Sequence, residues 1–426
     1  MPKIVLIGAG SGFGSRLTAD ILTFPSLQDS TIVLVDTSPE QLAIAAAMGR
    51  RLVEKAGSRA TIIATTDRRE ALPSADYVVM SIRVGGEEPA IINRQIPAKY
   101  GVEQTVADTL GPGGIFYFLL NGPAILDILW DMEALCPDAQ LIQHTNPMAM
   151  NCILANDAST IANVGLCHSV QGTARRLAEY IGAPADEVNY WVAGINHMAW
   201  FLRFNWKKED AYPLLWKAMD DPAIYEKDKV RWEIMRYFGY FVTESSTHMS
   251  EYVPYFRRTP ALIEATGRTA AQHIESFIQA RRDRESRQQG ILSGEVELPL
   301  KRSAEYSVNI MNAMETNVPY CFNGNVRNTG LITNLPPDCA VEVPCLVDAT
   351  GVHPCYVGDL PPELAGLNRS NITVQELAVR ALLTHDRELV YRAVQLDPLT
   401  QACVSLPEMR KMVDELFAAH ERLLTI

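Results

Sequence analysis

The first half of the chain alternates short β-branched runs with helical stretches, the pattern of a parallel sheet covered by crossover helices. Lys3–Gly8, Thr31–Val35, Thr61–Ala64, Asp76–Ile82, Gln140–Thr145 and Asn163–Leu166 read as its strands. Ser38-Pro39-Glu40-Gln41 has the form of a capping box with proline at the first helical position, predicting a helix towards Lys55. From Val84 to Gly113 no clean period holds, and the segment is expected to be a loop beside the sheet. After Glu187–Val192 the alternation weakens. Helical runs follow at Pro213–Asp220, Lys229–Tyr237, Ala270–Glu285, Val374–Leu383 and Glu408–Leu424, with a turn-punctuated, strand-like block at Cys321–Val347. The expected architecture is therefore α/β: a Rossmann-type domain over residues 1–195, then an α+β substrate and oligomerisation domain over 196–426, as in lactate and malate dehydrogenases.

Composition changes this picture little. Of 426 residues, 47% are hydrophobic and 21% charged, as in ordinary globular proteins. A net charge of −12 without a basic run argues against a nucleic-acid partner. No signal-peptide pattern follows MPKIVLIGAG, and no apolar span of membrane-crossing length is read, so no membrane partner is expected. The eight cysteines are scattered without C-x-x-C or framework spacing, which fits a reducing, cytoplasmic setting.

The strongest chemical signal follows the first strand. Gly8-Ala9-Gly10-Ser11-Gly12-Phe13-Gly14 leads into a helix, and glycines there permit a tight turn and close approach of a pyrophosphate to backbone N–H groups. Asp36 ends the second strand 22 positions after Gly14, where a carboxylate accepts from ribose hydroxyls and repels a 2′-phosphate. Gly8, Gly10, Ser11, Gly12, Phe13 and Asp36 are thus read as a site for NAD rather than NADP. Three further strand ends carry polar clusters: His144-Thr145-Asn146-Pro147, Cys167-His168-Ser169-Val170 and Gly194-Ile195-Asn196-His197. Ligands of open α/β sheets bind at the carboxyl ends of strands, so these clusters are expected to converge. A thiolate from Cys167 and an imidazole from His197 could hold Mn²⁺, Fe²⁺, Co²⁺ or Ni²⁺ with positions open for substrate oxygens.

These residues, with Ala107-Asp108-Thr109-Leu110-Gly111-Pro112-Gly113-Gly114, Asn334-Leu335-Pro336 and Val341-Glu342-Val343-Pro344, resemble the family 4 glycoside hydrolases from residue 3 to about 420. The Cys-His-Ser-Val quartet resembles the melibiose-type α-galactosidase branch; 6-phosphosugar branches usually carry Asp or Asn where this chain has His168. The resemblance implies a glycosidase in which NAD takes hydride from C3 of the sugar, a base removes the C2 proton, the C1 substituent is eliminated, water adds and the hydride returns. That family is a known exception to the two-carboxylate rule. It implies Cys167 and His197 as ligands of a divalent metal, with manganese expected, and Asn146 and Asn196 as sugar contacts; His168 beside the ligand, and Arg327 and Asn328 in Gly324-Asn325-Val326-Arg327-Asn328, are further candidates for substrate contact. Tyr252, in the segment where family members carry a tyrosine or aspartate base, is the candidate base, and Asp108 the candidate acid. Position 247 is threonine where some relatives carry an acidic residue. An α-galacturonidase or α-glucosidase of the same family, or an NAD-dependent dehydrogenase, are the competing readings. A homodimer or homotetramer is expected.

Overall fold

The computed structural model describes residues 1–426. The β-branched runs become six parallel strands: β1 (Lys3–Ile7), β2 (Thr31–Val35), β3 (Thr61–Thr65), β4 (Tyr77–Met80), β5 (Gln140–Gln143) and β6 (Asn163–Gly165). They lie in the order β3-β2-β1-β4-β5-β6, so the chain reverses its direction of winding at β1. That reversal opens a crevice beside the carboxyl end of β1, where nucleotides bind in doubly wound sheets. Strands β4 and β5 are buried along their whole length, which explains the unbroken apolar run of β4, although β5 begins and ends on buried glutamines; the edge strand β3 is largely exposed.

Ser38 accepts from the backbone N–H of Gln41 and starts the Pro39–Ala56 helix, as expected from its sequence. The segment expected to be irregular from Val84 to Gly113 instead contains a helix, Glu88–Lys99. Two features hid it: prolines at 89 and 97, and an inward face that carries Asn93 and Arg94. The Arg94 guanidinium is buried by bonding the carbonyls of Ala90, Thr105 and Val106. Gly111–Leu135 is a second correction: it is long and apolar enough by length and composition to cross a membrane. It is packed inside the fold, with 72% of its most apolar window buried. Complete burial of its first half, residues 111–122, removes the amphipathic period by which a surface helix is recognised; only the second half exposes a face, at Asp127, Trp130 and Ala134.

The sheet continues past β6. Antiparallel strands β7 (Val188–Ile195), β8 (Met198–Trp206), β9 (Glu209–Asp210), β10 (Tyr320–Arg327), β11 (Ala340–Asp348) and β12 (Gly351–Pro354) extend it, and β10 and β11 insert between β6 and β7. The boundary expected near residue 195 falls on the turn of the β7–β8 hairpin, where Ile195 pairs with Met198. One buried apolar cluster runs across that boundary, from Ile4 on β1 to Val343 on β11 and Ile372 on the Pro362–Thr384 helix.

Candidate active site

The glycine loop is shaped by what a side chain would hit. A Cβ on Gly8, whose φ is +85°, would lie 2.0 Å from the Ser81 carbonyl oxygen, and one on Gly10 would lie 2.7 Å from Asp36 Oδ2. Gly10 N–H donates to Asp36 Oδ2 at 2.8 Å, and Ser38 N–H donates to Oδ1 at 2.9 Å. Asp36 therefore ties the loop to the following helix, and each carboxylate oxygen keeps a lone pair for a ribose hydroxyl. Ser11 donates to the Gly8 carbonyl at 3.0 Å. Phe13 packs edge-on against His144, with ring centroids 4.7 Å apart. Gly12, with φ +83°, has open space around it apart from Gln288 and Arg284. The loop presents a bare backbone cradle at the switch point, and a dinucleotide pyrophosphate fits it.

Cys167 and His197 come together, though by a route other than the one expected. Cys167 follows β6, but His197 does not end a parallel strand: Asn196 and His197 form the two-residue turn between β7 and β8. His197 takes a left-handed backbone, φ +65°, which fixes its ring at the cost of local strain. Cys167 Sγ lies 3.3 Å from His197 Nε2. The other ring nitrogen, Nδ1, lies 3.0 Å from Thr109 Oγ1 and 3.3 Å from Tyr252 Oη, an outer shell of the kind that orients metal-bound imidazoles. Burial pushes the Cys167 thiol up to about 12, with Glu342 and Glu244 adding to the shift. A nearby cation is what would turn it into the thiolate ligand.

Around this pair, Asn146 donates to Asp108 Oδ2 at 3.0 Å, and Thr109 donates to Asp108 Oδ1 at 2.8 Å. Asn196 is 2% exposed, yet neither its amide nitrogen nor its oxygen has a partner. Buried amides are rarely left so, and this one is placed to take a ligand's hydroxyls. Tyr252 is buried, and burial together with Asp108 holds its phenol well above the ordinary value. His168, next to Cys167 in sequence, is exposed.

Arg327 is a correction. It donates to Asp338 at 2.7 Å and to the Asn156 carbonyl at 3.3 Å, and Asn156 in turn bonds Asn163 at the start of β6. It therefore lies at the amino end of β6, away from Cys167, and is held by surface acids. Asn328 is consumed by the Ile332–Pro336 loop.

Three groups at the site were not assigned a role from the sequence. Glu244, with φ +75°, pairs with His248 Nδ1 at 2.7 Å. Burial opposes charge on both groups, but the pairing wins: Glu244 stays well below the carboxylate range and His248 is raised. Asp108, His197 and His248 also have ligand atoms within 4.8 Å of one another. Because His197 Nδ1 already faces Thr109 and Tyr252, its Nε2 beside Cys167 is the better metal position. Glu342 is the third group, wholly buried and pushed up to about 8 by that burial, with Glu244 raising it further and His197 pulling it down. Glu244 and His248 lie four residues apart, but the left-handed turn at Glu244 that joins them has no signature in the sequence, and for Glu342 the one local signal was the Val-Glu-Val-Pro run itself. A separate surface cavity of about 650 Å³, lined in part by Arg257, Glu264 and Gln272, includes none of these side chains.

Residues 3–183 match the model described as family 4 glycosyl hydrolase, and residues 192–400 that of the family's C-terminal domain. The chain is 41% identical to an α-galactosidase of Bacillus subtilis (strain 168), covering 99% of this chain and 98% of that one. It is 37% identical to an α-galactosidase of Rhizobium meliloti (strain 1021), covering 99% and 89%. Among solved structures, a 6-phospho-β-glucosidase of Thermotoga maritima with manganese, NAD⁺ and glucose-6-phosphate superposes with a TM-score of 0.82 at 20% identity, covering 99% of each chain. Malate dehydrogenase of Plasmodium falciparum shares the architecture more loosely, with a TM-score of 0.53 at 15% identity over 92% of this chain and all of that one, 100%.

Proposed function

The chain belongs to the family 4 glycosyl hydrolases, and from that premise we propose that it is an NAD- and divalent-metal-dependent α-galactosidase. The observation that carries this reading is the Cys167–His197 pair, 3.3 Å apart, beside the unpartnered amide of Asn196. The two relatives at 37–41% identity favour the galactoside over a glucoside, and NAD with manganese in a structure of the same fold supports the choice of cofactors.

When bound, NAD supplies a reversible hydride acceptor for C3, and the metal supplies Lewis acidity that acidifies the C2 proton. Cys167 and His197 would hold the metal, and Thr109 orients the imidazole. The Gly8–Gly14 loop takes the pyrophosphate, and Asp36 takes the ribose. Asn196 and Asn146 bind sugar hydroxyls, and His168, next to Cys167 in sequence, is a further candidate. The C2 proton goes to Tyr252, whose phenol a cation held by Cys167 and His197 would have to bring down into its deprotonated form, and Asp108, when protonated, passes its proton to the leaving oxygen. Eight free cysteines support a reducing, cytoplasmic setting, and the assembly is a homodimer or homotetramer, which light scattering would test.

An α-glucosidase of Erwinia rhapontici, 33% identical over 96% of each chain, keeps the C4 epimer as the second reading. Hydrolysis of nitrophenyl α-galactoside with NAD, Mn²⁺ and thiol omitted in turn tests the proposal. Activity should fall with each omission, and no NADH should accumulate. Stoichiometric NADH would make the protein a dehydrogenase, and cleavage of a galacturonide or glucoside but not the galactoside would overturn the substrate.

A further inference from the structure

Behind the metal pair the sheet buries a carboxyl group that no protein cation neutralises. Glu342 sits on β11, is 0% exposed, and neither carboxyl oxygen has a hydrogen-bond partner. A buried carboxyl without partners is costly, and leucine or methionine would serve packing better. The neighbouring Val341 and Val343 face one core, while Glu342, by strand alternation, shares the other face with Ala340 and the helix bearing Cys152.

Register places it between the two ligand-bearing segments. Glu342 pairs with Asn325 on β10, and Asn325 pairs with Gly165, two residues before Cys167. On its other side Glu342 pairs with Gly194, three residues before His197. The titratable groups within its electrostatic reach are Cys152, Cys167, His197, Glu244, Tyr306 and Cys345. Of these, His197 alone can carry positive charge, and as a metal ligand it is neutral.

We propose that Glu342 is the buried counter-charge of the metal site, a positioning residue that supplies a second negative charge behind Cys167. This inference rests on the metal reading of Cys167 and His197. In the metal-free protein the buried, unpartnered Glu342 carboxyl is protonated, and loading a dication sends its proton to solvent. The dication, one thiolate and one carboxylate then sum to zero charge inside the sheet. Burial holds Glu342 up to about 8, so its carboxyl carries no charge at pH 7 until a cation is bound.

The test is Mn²⁺ binding to the NAD-saturated enzyme, followed by the magnetic resonance of free Mn²⁺ and by calorimetry in buffers of different ionisation heat. E342Q should bind Mn²⁺ about 10- to 100-fold more weakly, the usual effect of losing an outer-shell partner. It should also release one proton fewer than the wild type, with NAD affinity unchanged, and E342D should restore most of the affinity. Wild-type Mn²⁺ affinity in a folded E342Q overturns the inference while leaving the metal reading intact. Failure of the wild type itself to bind Mn²⁺ overturns both. Should E342Q not fold, the infrared difference spectrum of the wild type decides: Mn²⁺ loading must remove a protonated-carboxyl stretch, and its persistence overturns the inference.

Discussion

Glu251 anchors the loop that carries Asp108 and Thr109, and replacing it with glutamine should damage both stability and turnover. Its carboxylate is 1% exposed and accepts from Thr105 N–H at 2.6 Å, Thr105 Oγ1 at 2.5 Å, Val106 N–H at 2.7 Å and Ala107 N–H at 3.1 Å. Those bonds hold Ala107 in a left-handed conformation, φ +51°, immediately before Asp108. In E251Q one amide oxygen can still serve Thr105 and Val106, but as a neutral acceptor, at a loss of about 1 kcal/mol for each of those bonds. The amide nitrogen then faces the Ala107 N–H, donor against donor, which leaves a buried N–H unpaired at about 1–3 kcal/mol. The expected destabilisation is roughly 4–6 kcal/mol, read by urea unfolding. A displaced Asp108 should lower kcat/KM for nitrophenyl α-galactoside by about 10- to 100-fold, while NAD affinity holds, because misplacement by an ångström costs that order. A destabilisation below about 1 kcal/mol with wild-type kcat/KM would refute the argument that this carboxylate sets the loop.

C167S should retain NAD binding and lose both Mn²⁺ binding and hydrolysis, measured by calorimetry and nitrophenol release; unchanged hydrolysis would refute the ligand assignment. R327A removes a half-exposed pair with Asp338 at the amino end of β6, so kcat/KM should stay within about twofold and stability should fall by no more than about 1 kcal/mol. In the metal-free protein Glu342 is held up to about 8 from an ordinary value of 4.5, so the native state keeps a proton that the unfolded chain loses. Stability should therefore be fully present below about pH 4.5 as far as this group is concerned, fall as pH rises towards 8, and level off above it, by about 1.4 kcal/mol per pH unit at most. In E342Q that component of the slope disappears from the Tm-against-pH curve, and an unchanged slope would refute the assignment.

The parallel half of the sheet was legible because β1, β2 and β4 read as nearly unbroken apolar runs bounded by turn residues, and β3 is β-branched despite its exposure. The glycine loop was legible because a strand, a glycine turn and an acidic residue at the next strand's end recur in fixed order. Cys167 and His197 could be paired from motif positions, yet the route was misjudged: the hairpin turn that delivers His197 depends on β10 and β11 inserting more than a hundred residues out of order. The Gly111–Leu135 helix escaped for the opposite reason, since its first half, residues 111–122, is buried all round and has no polar face to mark its period. Arg327 shows how far sequence spacing can mislead on a strand. Its backbone continues the strand that carries Asn325, but two residues of antiparallel register take it to the amino end of β6. Glu251, Glu244 and Glu342 look alike as isolated acidic residues. Their different roles come from four backbone and hydroxyl donors, one histidine and no partner at all, respectively.

The claim that the glycosidic bond is cleaved through oxidation at C3 and proton loss at C2 is tested most directly by running the hydrolysis in D₂O with NAD and Mn²⁺ and locating deuterium in the released sugar. Removal of the C2 proton followed by reprotonation from solvent predicts galactose carrying deuterium at C2, with NAD unchanged at the end. Galactose released with protium fully retained at C2 would contradict the account and return the enzyme to direct displacement at C1.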